Sequence, residues 1–447
     1  MSWERWNHWT LVDLPELNRS VLSGREPAAN LTAALRRALT DDLPLPETFA
    51  PDQAKRLLVL LGLAGSSVAR HYQEADPARA AHPAWSFGRL TVGPAKIPFA
   101  QYFARLADAS QTGHPPRDCY ASLVRWNAPT TVVEADGEAL AVLPGSFPDG
   151  ATRTYTGDPG EIAFFALLKK SEALERAVND VLEPVAQGAV GPLSQDAVDR
   201  ALLATRLMTA LIHVNQEFAA APPEHGGLST EHCLDAFRQF AVHWEVGDLP
   251  PAGAQDPEFI RRDLLLGIDF PGYAEHVRRI YPSLLGSERE MLDRDGARPA
   301  LPESLLAALG IDPDEPVRCT RDRARELVRA HPQLAAWYLL LAANAEFGAV
   351  HLMLTDRILF KAQRERDPSR DGDRSPVAQP RDAAGIEEPL LVRLALARRN
   401  HALRGLGQLP HRELASACGD GAWLGGNTEL DDDAADRLPT VRFAEAA

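Results

Sequence analysis

The segment that decides the fold runs from Leu334 to Lys361 and reads LAAWYLLLAANAEFGAVHLMLTDRILFK. Its apolar side chains recur in steps of three or four residues, which places them on one face of a helix. That stripe contains a single histidine, and it is traced by Leu340, Asn344, Phe347, His351, Leu354 and Ile358. Because a buried imidazole is costly unless its nitrogens are bonded, we expect His351 either to make a hydrogen bond or to bind a metal ion.

The composition is that of a globular protein with a substantial core. The chain has 447 residues, of which 45% are hydrophobic and 24% are charged. A net charge of −15 argues against a nucleic-acid partner or an anionic membrane, because both favour a basic surface. The four cysteines are widely spaced and form no CxxC pair, which fits a reducing cytoplasm. The sequence also shows no signal peptide and no membrane-length apolar run, so we expect a cytoplasmic protein.

The pattern of helical signals predicts a mostly α protein in four parts. Residues 1–150 are expected to form a smaller N-terminal capping domain, α-helical with minor β structure. Residues 151–363 are expected to form a large helical domain that holds the functional pocket. Residues 364–386 are charged and proline-bearing, which is typical of a flexible linker, and residues 387–447 contain one helix and a tail.

Local signals within this plan predict where several elements begin. Residues 54–70 are apolar enough for a buried helix. Residues 123–143 mix β-branched residues with turn formers, which predicts short strands or a structured loop. Capping residues predict helices that begin after Asp158, Ser194 and Ser229. The third of these helices is expected to continue to Trp244, because apolar residues recur at helical spacing.

Short motifs occur in a fixed order through the helical part of the chain. They are Trp126-Asn127 followed by Arg153-Thr154-Tyr155-Thr156-Gly157-Asp158-Pro159, Phe164-Phe165 with Glu172, Phe237-Arg238 with Trp244, Arg279-Ile280-Tyr281-Pro282, and His351-Leu352. In this order and spacing they resemble the landmarks of the indoleamine 2,3-dioxygenase superfamily of haem proteins. The nearest likeness is to its monodechloroaminopyrrolnitrin synthase branch. The resemblance covers roughly residues 126–361.

The resemblance implies a bound haem b. His351 matches the proximal iron ligand, and Gly348 beside it is expected to leave room for a flat macrocycle. Arg357 is a candidate partner for the haem carboxylates. Gly425 and Gly426 are candidates for the glycine-rich loop that covers the active site in this superfamily.

The resemblance also implies a substrate site. Phe164, Phe165 and Leu168 would form an apolar distal wall, and Arg238 would act as the catalytic-site arginine that holds the substrate carboxylate. The superfamily has a serine where this chain has Leu168, and its loop of small residues is absent between Trp244 and Phe259. We therefore expect an oxidoreductase that uses dioxygen or peroxide to oxidise or rearrange a tryptophan-like aromatic amino acid in specialised metabolism, rather than one that simply cleaves indole.

Two other interpretations remain open at this stage. The chain could be a degenerate relative that binds a ligand without haem, or a helical scaffold for protein partners. The oligomeric state is also open, with a homodimer among the options. Other enzyme classes find no support, since the sequence contains no P-loop, no GxGxxG that opens a βαβ unit, no HExxH and no GxSxG.

Overall fold

The computed structural model describes residues 3–40, 43–75, 82–88, 90–365, 388–419 and 438–444. Helices dominate these residues and strands are few, which confirms the predicted mostly α class. Most of the predicted linker, from residue 366 onward, lies outside the described residues, as do Gly425 and Gly426.

The N-terminal part is built on a long buried helix surrounded by shorter ones. The helices of this part are α1 (Trp3–His8), α2 (Leu14–Leu22), α3 (Ala28–Thr40), α4 (Pro51–Ala75) and α5 (Phe99–Ala109). A π-helical turn, Trp9–Asp13, joins α1 to α2 without a break. Helix α4 confirms the buried helix predicted at residues 54–70, and Trp6 on α1 is buried beside it with 1% of its surface exposed.

The strands form two small antiparallel sheets. They are β1 (Thr91–Val92), β2 (Ile97–Pro98), β3 (Thr131–Ala135), β4 (Glu138–Leu143) and β5 (Thr440–Phe443). In the larger sheet β3 lies between β4 and β5. Asp136 and Gly137 make the β3–β4 turn with positive φ angles of 53° and 83°, which suits the twist of a two-residue hairpin loop. The short strands predicted within residues 123–143 are thus confirmed.

The rest of the described chain is a helical assembly. Its helices are α6 (Pro159–Ala186), α7 (Gln195–Ala220), α8 (Thr230–Asp235), α9 (Pro257–Leu265), α10 (Tyr273–Ile280), α11 (Gly286–Gly296), α12 (Leu301–Leu309), α13 (Glu315–Arg318), α14 (Arg321–Ala330), α15 (Gln333–Thr355), α16 (Lys361–Glu365), α17 (Glu388–Arg399) and α18 (His411–Ala417). Asp158 and Ser194 cap α6 and α7 as predicted, because their side chains accept hydrogen bonds from the backbone N–H groups of Gly160 and Ala197.

The third predicted helix is shorter than expected. Ser229 caps α8 by accepting a hydrogen bond from the His232 backbone N–H, but the helix ends at Asp235 and the prediction that it reaches Trp244 is wrong. The backbone leaves helical geometry at Ala236, and a 3₁₀ turn, Phe237–Phe240, follows. Tertiary packing overrides the helical period here, since Phe240 stacks on Tyr155 with ring centroids 4.4 Å apart.

Two large hydrophobic clusters hold the described residues together. The N-terminal cluster surrounds α4 but also includes Phe165, Phe240 and Trp244. The helical cluster is centred on α6, α7 and α15 but also includes Val133 and Leu143 of the hairpin. The predicted domain boundary near residue 150 stays a prediction, because each cluster contains residues from both sides of it.

Helix α15 lies at the centre of the helical cluster. Trp337, Leu340 and Asn344 on this helix have none of their surface exposed. A π-helical turn, Asp356–Phe360, continues α15 into α16, so that Gln333–Glu365 is one helical segment. By length and composition this segment could cross a membrane, but half of its most apolar window is buried inside the protein, as in the core helices of globular domains.

Candidate functional site

A cavity of about 860 Å³, including its mouth, lies between α6, α7, α15 and the chain before α9. Its lining is mostly apolar, as is usual for cofactor and small-molecule sites. Phe164, Leu168 and His351, which were predicted as site residues, all line it. The structure therefore brings the predicted metal ligand and two predicted substrate contacts to one cavity.

His351 is held against aromatic rings at one wall of the cavity. The Phe347 ring stacks on it at a centroid distance of 5.8 Å, and the Phe259 ring meets it edge-on at 6.0 Å. Its Nδ1 atom is buried and makes no hydrogen bond within the described part of the chain. Of the two outcomes expected from the sequence, a hydrogen-bonded histidine is therefore not the one observed.

The environment of His351 keeps its imidazole neutral. Burial is the main cause, and the positive charges of Arg398 and Arg262 act in the same direction, so that the pKa of His351 falls to about 3. The carboxylate of Asp263 opposes this shift. At neutral pH the ring is uncharged, which is the form of histidine that binds a metal ion.

Two buried ion pairs lie behind His351. The Arg398 guanidinium donates from Nε and Nη2 to the two carboxylate oxygens of Asp263 at 3.0 and 2.9 Å. Arg262 donates to Glu175 at 2.5 Å. A Cβ atom added at Gly348 would lie 3.2 Å from the Cδ atom of Arg398. Gly348 thus makes room for the Arg398 side chain of α17, and the expectation that it leaves room for a macrocycle stays a prediction.

A pair of carboxyl groups forms the acidic part of the cavity lining. Asp256 and Glu175 both line the cavity, and a hydrogen bond joins their side chains. Burial and the nearby charges of Glu172 and Glu175 raise the pKa of Asp256 well above its usual range. Burial also raises the pKa of Glu175, and Arg262 opposes that shift. Asp256 therefore carries the proton of the pair, and Arg262 compensates the charge of Glu175.

The other predicted site residues lie outside the cavity lining. Phe165 is buried in the N-terminal cluster, where its ring meets Phe237 at 5.5 Å. Arg238 follows Phe237 on the 3₁₀ turn and lies close enough to Cys233, a cavity residue, to oppose the rise that burial causes in the pKa of that thiol. Arg357 is exposed and donates to the Ala219 backbone carbonyl at 2.7 Å.

Several residues of the cavity were missed in the sequence, although a signal was present. Phe164, Leu168, Ser171 and Glu175 follow one another in steps of three or four residues, so Ser171 and Glu175 continue the predicted face of α6. Gly253 and Ala254 also line the cavity. Small residues are therefore present where the sequence showed no evident small-residue loop.

Among the residues that the structure describes, no group of three or more His, Cys, Asp or Glu side chains could hold a metal ion. An iron ion in haem needs only one or two protein ligands, because the macrocycle supplies the others.

No family model matches this chain. No curated protein matches it either.

Proposed function

We propose that this protein is a haem-dependent oxidoreductase in which His351 binds the iron. One observation carries the proposal: a neutral imidazole without a hydrogen-bond partner lines an apolar cavity. Its Nδ1 atom is fully buried, so Nε2 is the nitrogen that would bind the iron. The order of motifs that resembles the indoleamine 2,3-dioxygenase superfamily supports the same assignment.

The residues around the cavity fit a haem group in most respects. His351 would hold the iron, while Phe259 and Phe347 pack against its imidazole ring. Phe164 and Leu168 would help to exclude water from the cavity. A bound haem would supply iron-centred oxidation with dioxygen or peroxide.

The proposed substrate is an aromatic amino acid or a close derivative. Phe237, which precedes Arg238, packs edge-on against the cavity residue Phe164 at 5.4 Å. A carboxylate at the edge of the cavity could therefore be held by Arg238, while the ring of the substrate lies among apolar side chains. The proposed reaction is oxidation or rearrangement of that ring.

The role of Arg238 can be tested by substrate binding. Arg238→Ala should weaken the binding of tryptophan-like ligands by about 1.5–3 kcal/mol, the scale of a hydrogen bond to a charged group. The matched control is Arg357→Ala, since Arg357 is exposed and points away from the cavity. Equal ligand affinity in wild type and Arg238→Ala would show that Arg238 does not bind the substrate. Loss of haem binding in Arg357→Ala would show that Arg357 belongs to the haem site.

Haem binding itself is tested by titrating the purified protein with haem. Wild type should bind one equivalent and show the absorption spectrum of histidine-ligated haem. His351→Ala should lose that spectrum but keep its helical circular dichroism. His401→Ala is the matched control, because burial also lowers the pKa of this histidine, to about 4, while its side chain lies outside the cavity lining.

A second function, the binding of an apolar ligand without haem, is favoured by one observation. No lysine or arginine is among the described residues that line the cavity, whereas the two carboxylates of haem usually meet basic groups. A protein of this second kind would bind aromatic compounds tightly and would not show the spectrum of histidine-ligated haem after haem titration. The titration therefore separates the two functions.

A further inference from the structure

One asparagine in the cavity lining has a side-chain carbonyl oxygen that accepts no hydrogen bond from the described residues. Asn215 on α7 lines the cavity, and only 4% of its surface is exposed. Its Nδ2 atom donates to the Leu211 backbone carbonyl at 2.9 Å and, at 3.5 Å, to the hydroxyl of Ser171. Its side-chain carbonyl oxygen, Oδ1, accepts no hydrogen bond from the described residues.

The orientation of this amide is fixed by its neighbours. The Leu211 carbonyl can only accept a hydrogen bond, so the NH₂ group of Asn215 must face it. Turning the amide over would place two carbonyl oxygens against each other. Oδ1 has no partner among the described residues and keeps some accessible surface, and because Asn215 lines the cavity, we infer that this oxygen faces it.

The surroundings of Asn215 favour a neutral ligand group over a charged one. The nearest polar residues on α6 are Ser171 and, one turn further, Glu175. Glu175 is already bonded to Arg262 and to Asp256. The negative charge of Glu175 is therefore balanced by Arg262 and is not left for a positively charged ligand group. Transferring an ammonium group into such an apolar cavity would cost several kcal/mol, whereas a neutral N–H group loses much less on leaving water.

We propose that the Asn215 side-chain carbonyl accepts a hydrogen bond from a neutral N–H or O–H group on the ring of the cavity's aromatic ligand. The reaction of a ligand bound at this subsite rests on the proposed function. The subsite deepens that function, because it names the class of substrate. The ligand is a ring system with its own donor, such as an indole, a pyrrole or a phenol. A purely hydrocarbon ring would leave the carbonyl unpaired and bind more weakly.

The test compares indole with benzothiophene, which has nearly the same shape but no N–H donor. Calorimetric titration of the full-length protein, with and without added haem, gives both dissociation constants. Wild type should prefer indole by about tenfold, the value of one neutral hydrogen bond in a buried site. In Asn215→Leu and in Asn215→Ala this preference should disappear, so that the two ligands bind with equal affinity.

A control variant makes the result specific. Asn344→Leu removes another fully buried asparagine, which lies outside the cavity lining, and it should keep the preference for indole. If wild type prefers indole but binds no haem, the proposed function fails and the subsite holds.

Three results would overturn the subsite. They are equal affinities of the two probes in wild type, failure of both probes to bind up to their solubility limits, and a preference for indole that survives in the Asn215 variants. Haem binding in the same preparations would show that such a failure concerns the subsite alone. Circular dichroism of each variant establishes that the comparison is made between folded proteins.

Discussion

Replacing Arg398 with methionine should destabilise the protein by about 3–5 kcal/mol, the cost of leaving one charge of a buried pair without its partner. Arg398 and Asp263 have 1% and 0% of their surfaces exposed and are joined by two hydrogen bonds. At a separation of about 3 Å and an effective dielectric constant of about 20, their attraction is roughly 5 kcal/mol, which agrees with that range. The Tyr273 hydroxyl, 2.8 Å from Asp263, would remain as the donor to the stranded carboxylate.

Urea unfolding followed by far-ultraviolet circular dichroism measures this loss. The variant Arg398→Met combined with Asp263→Asn removes both charges, and it should recover at least about 2 kcal/mol of the free energy of unfolding, because no buried charge is left unpaired. If Arg398→Met unfolds within about 1 kcal/mol of wild type, then the ion pair does not anchor α17 to α9. The described packing behind His351 would then be wrong.

Three further predictions concern buried polar groups. Asn344→Leu should stabilise the protein by about 1–2 kcal/mol in thermal unfolding, because neither side-chain amide atom has a described partner; destabilisation would reveal a missed bond. Burial lowers the pKa of Lys169 to about 7, so between pH 7 and 10 the unfolded chain binds a proton that the folded chain lacks. The stability of wild type relative to Lys169→Met should therefore rise by about 1.4 kcal/mol per pH unit, and a flat difference would contradict it. Asp256→Asn should change the free energy of unfolding by less than about 1 kcal/mol, because the protonated Asp256 already donates to Glu175; a larger loss in urea unfolding would show that it is ionised.

The local elements of the fold were largely readable from the sequence. The caps at Asp158 and Ser194, the buried helix within α4 and the length of the His351 helix all follow from side-chain type and spacing. These signals act over one or two turns, where propensity and capping dominate. The end of α8 was missed because it depends on aromatic contacts between Phe240 and Tyr155, which are far apart in the chain.

Only part of the candidate site could be predicted from the sequence, because the rest depends on contacts between residues that are far apart in the chain. The face of α6 that begins at Phe164 could be extended by counting to Glu175, but its partner Asp256 comes from another element. The placement of Arg398 behind His351 depends on α17, which is separated from α15 by the residues outside the described range. A single sequence carries no signal for such a long-range pairing of charges.

The most direct test of the haem assignment is rescue of a cavity variant. His351→Gly removes the imidazole from a cavity wall formed by rigid aromatic rings, so free imidazole can occupy the vacated space. After haem titration this variant should lack the histidine-ligated spectrum and regain it when imidazole is added, while wild type shows it throughout. A wild-type protein that does not show the histidine-ligated spectrum, or a His351→Gly variant that shows it before imidazole is added, would contradict the assignment of His351 as the haem ligand.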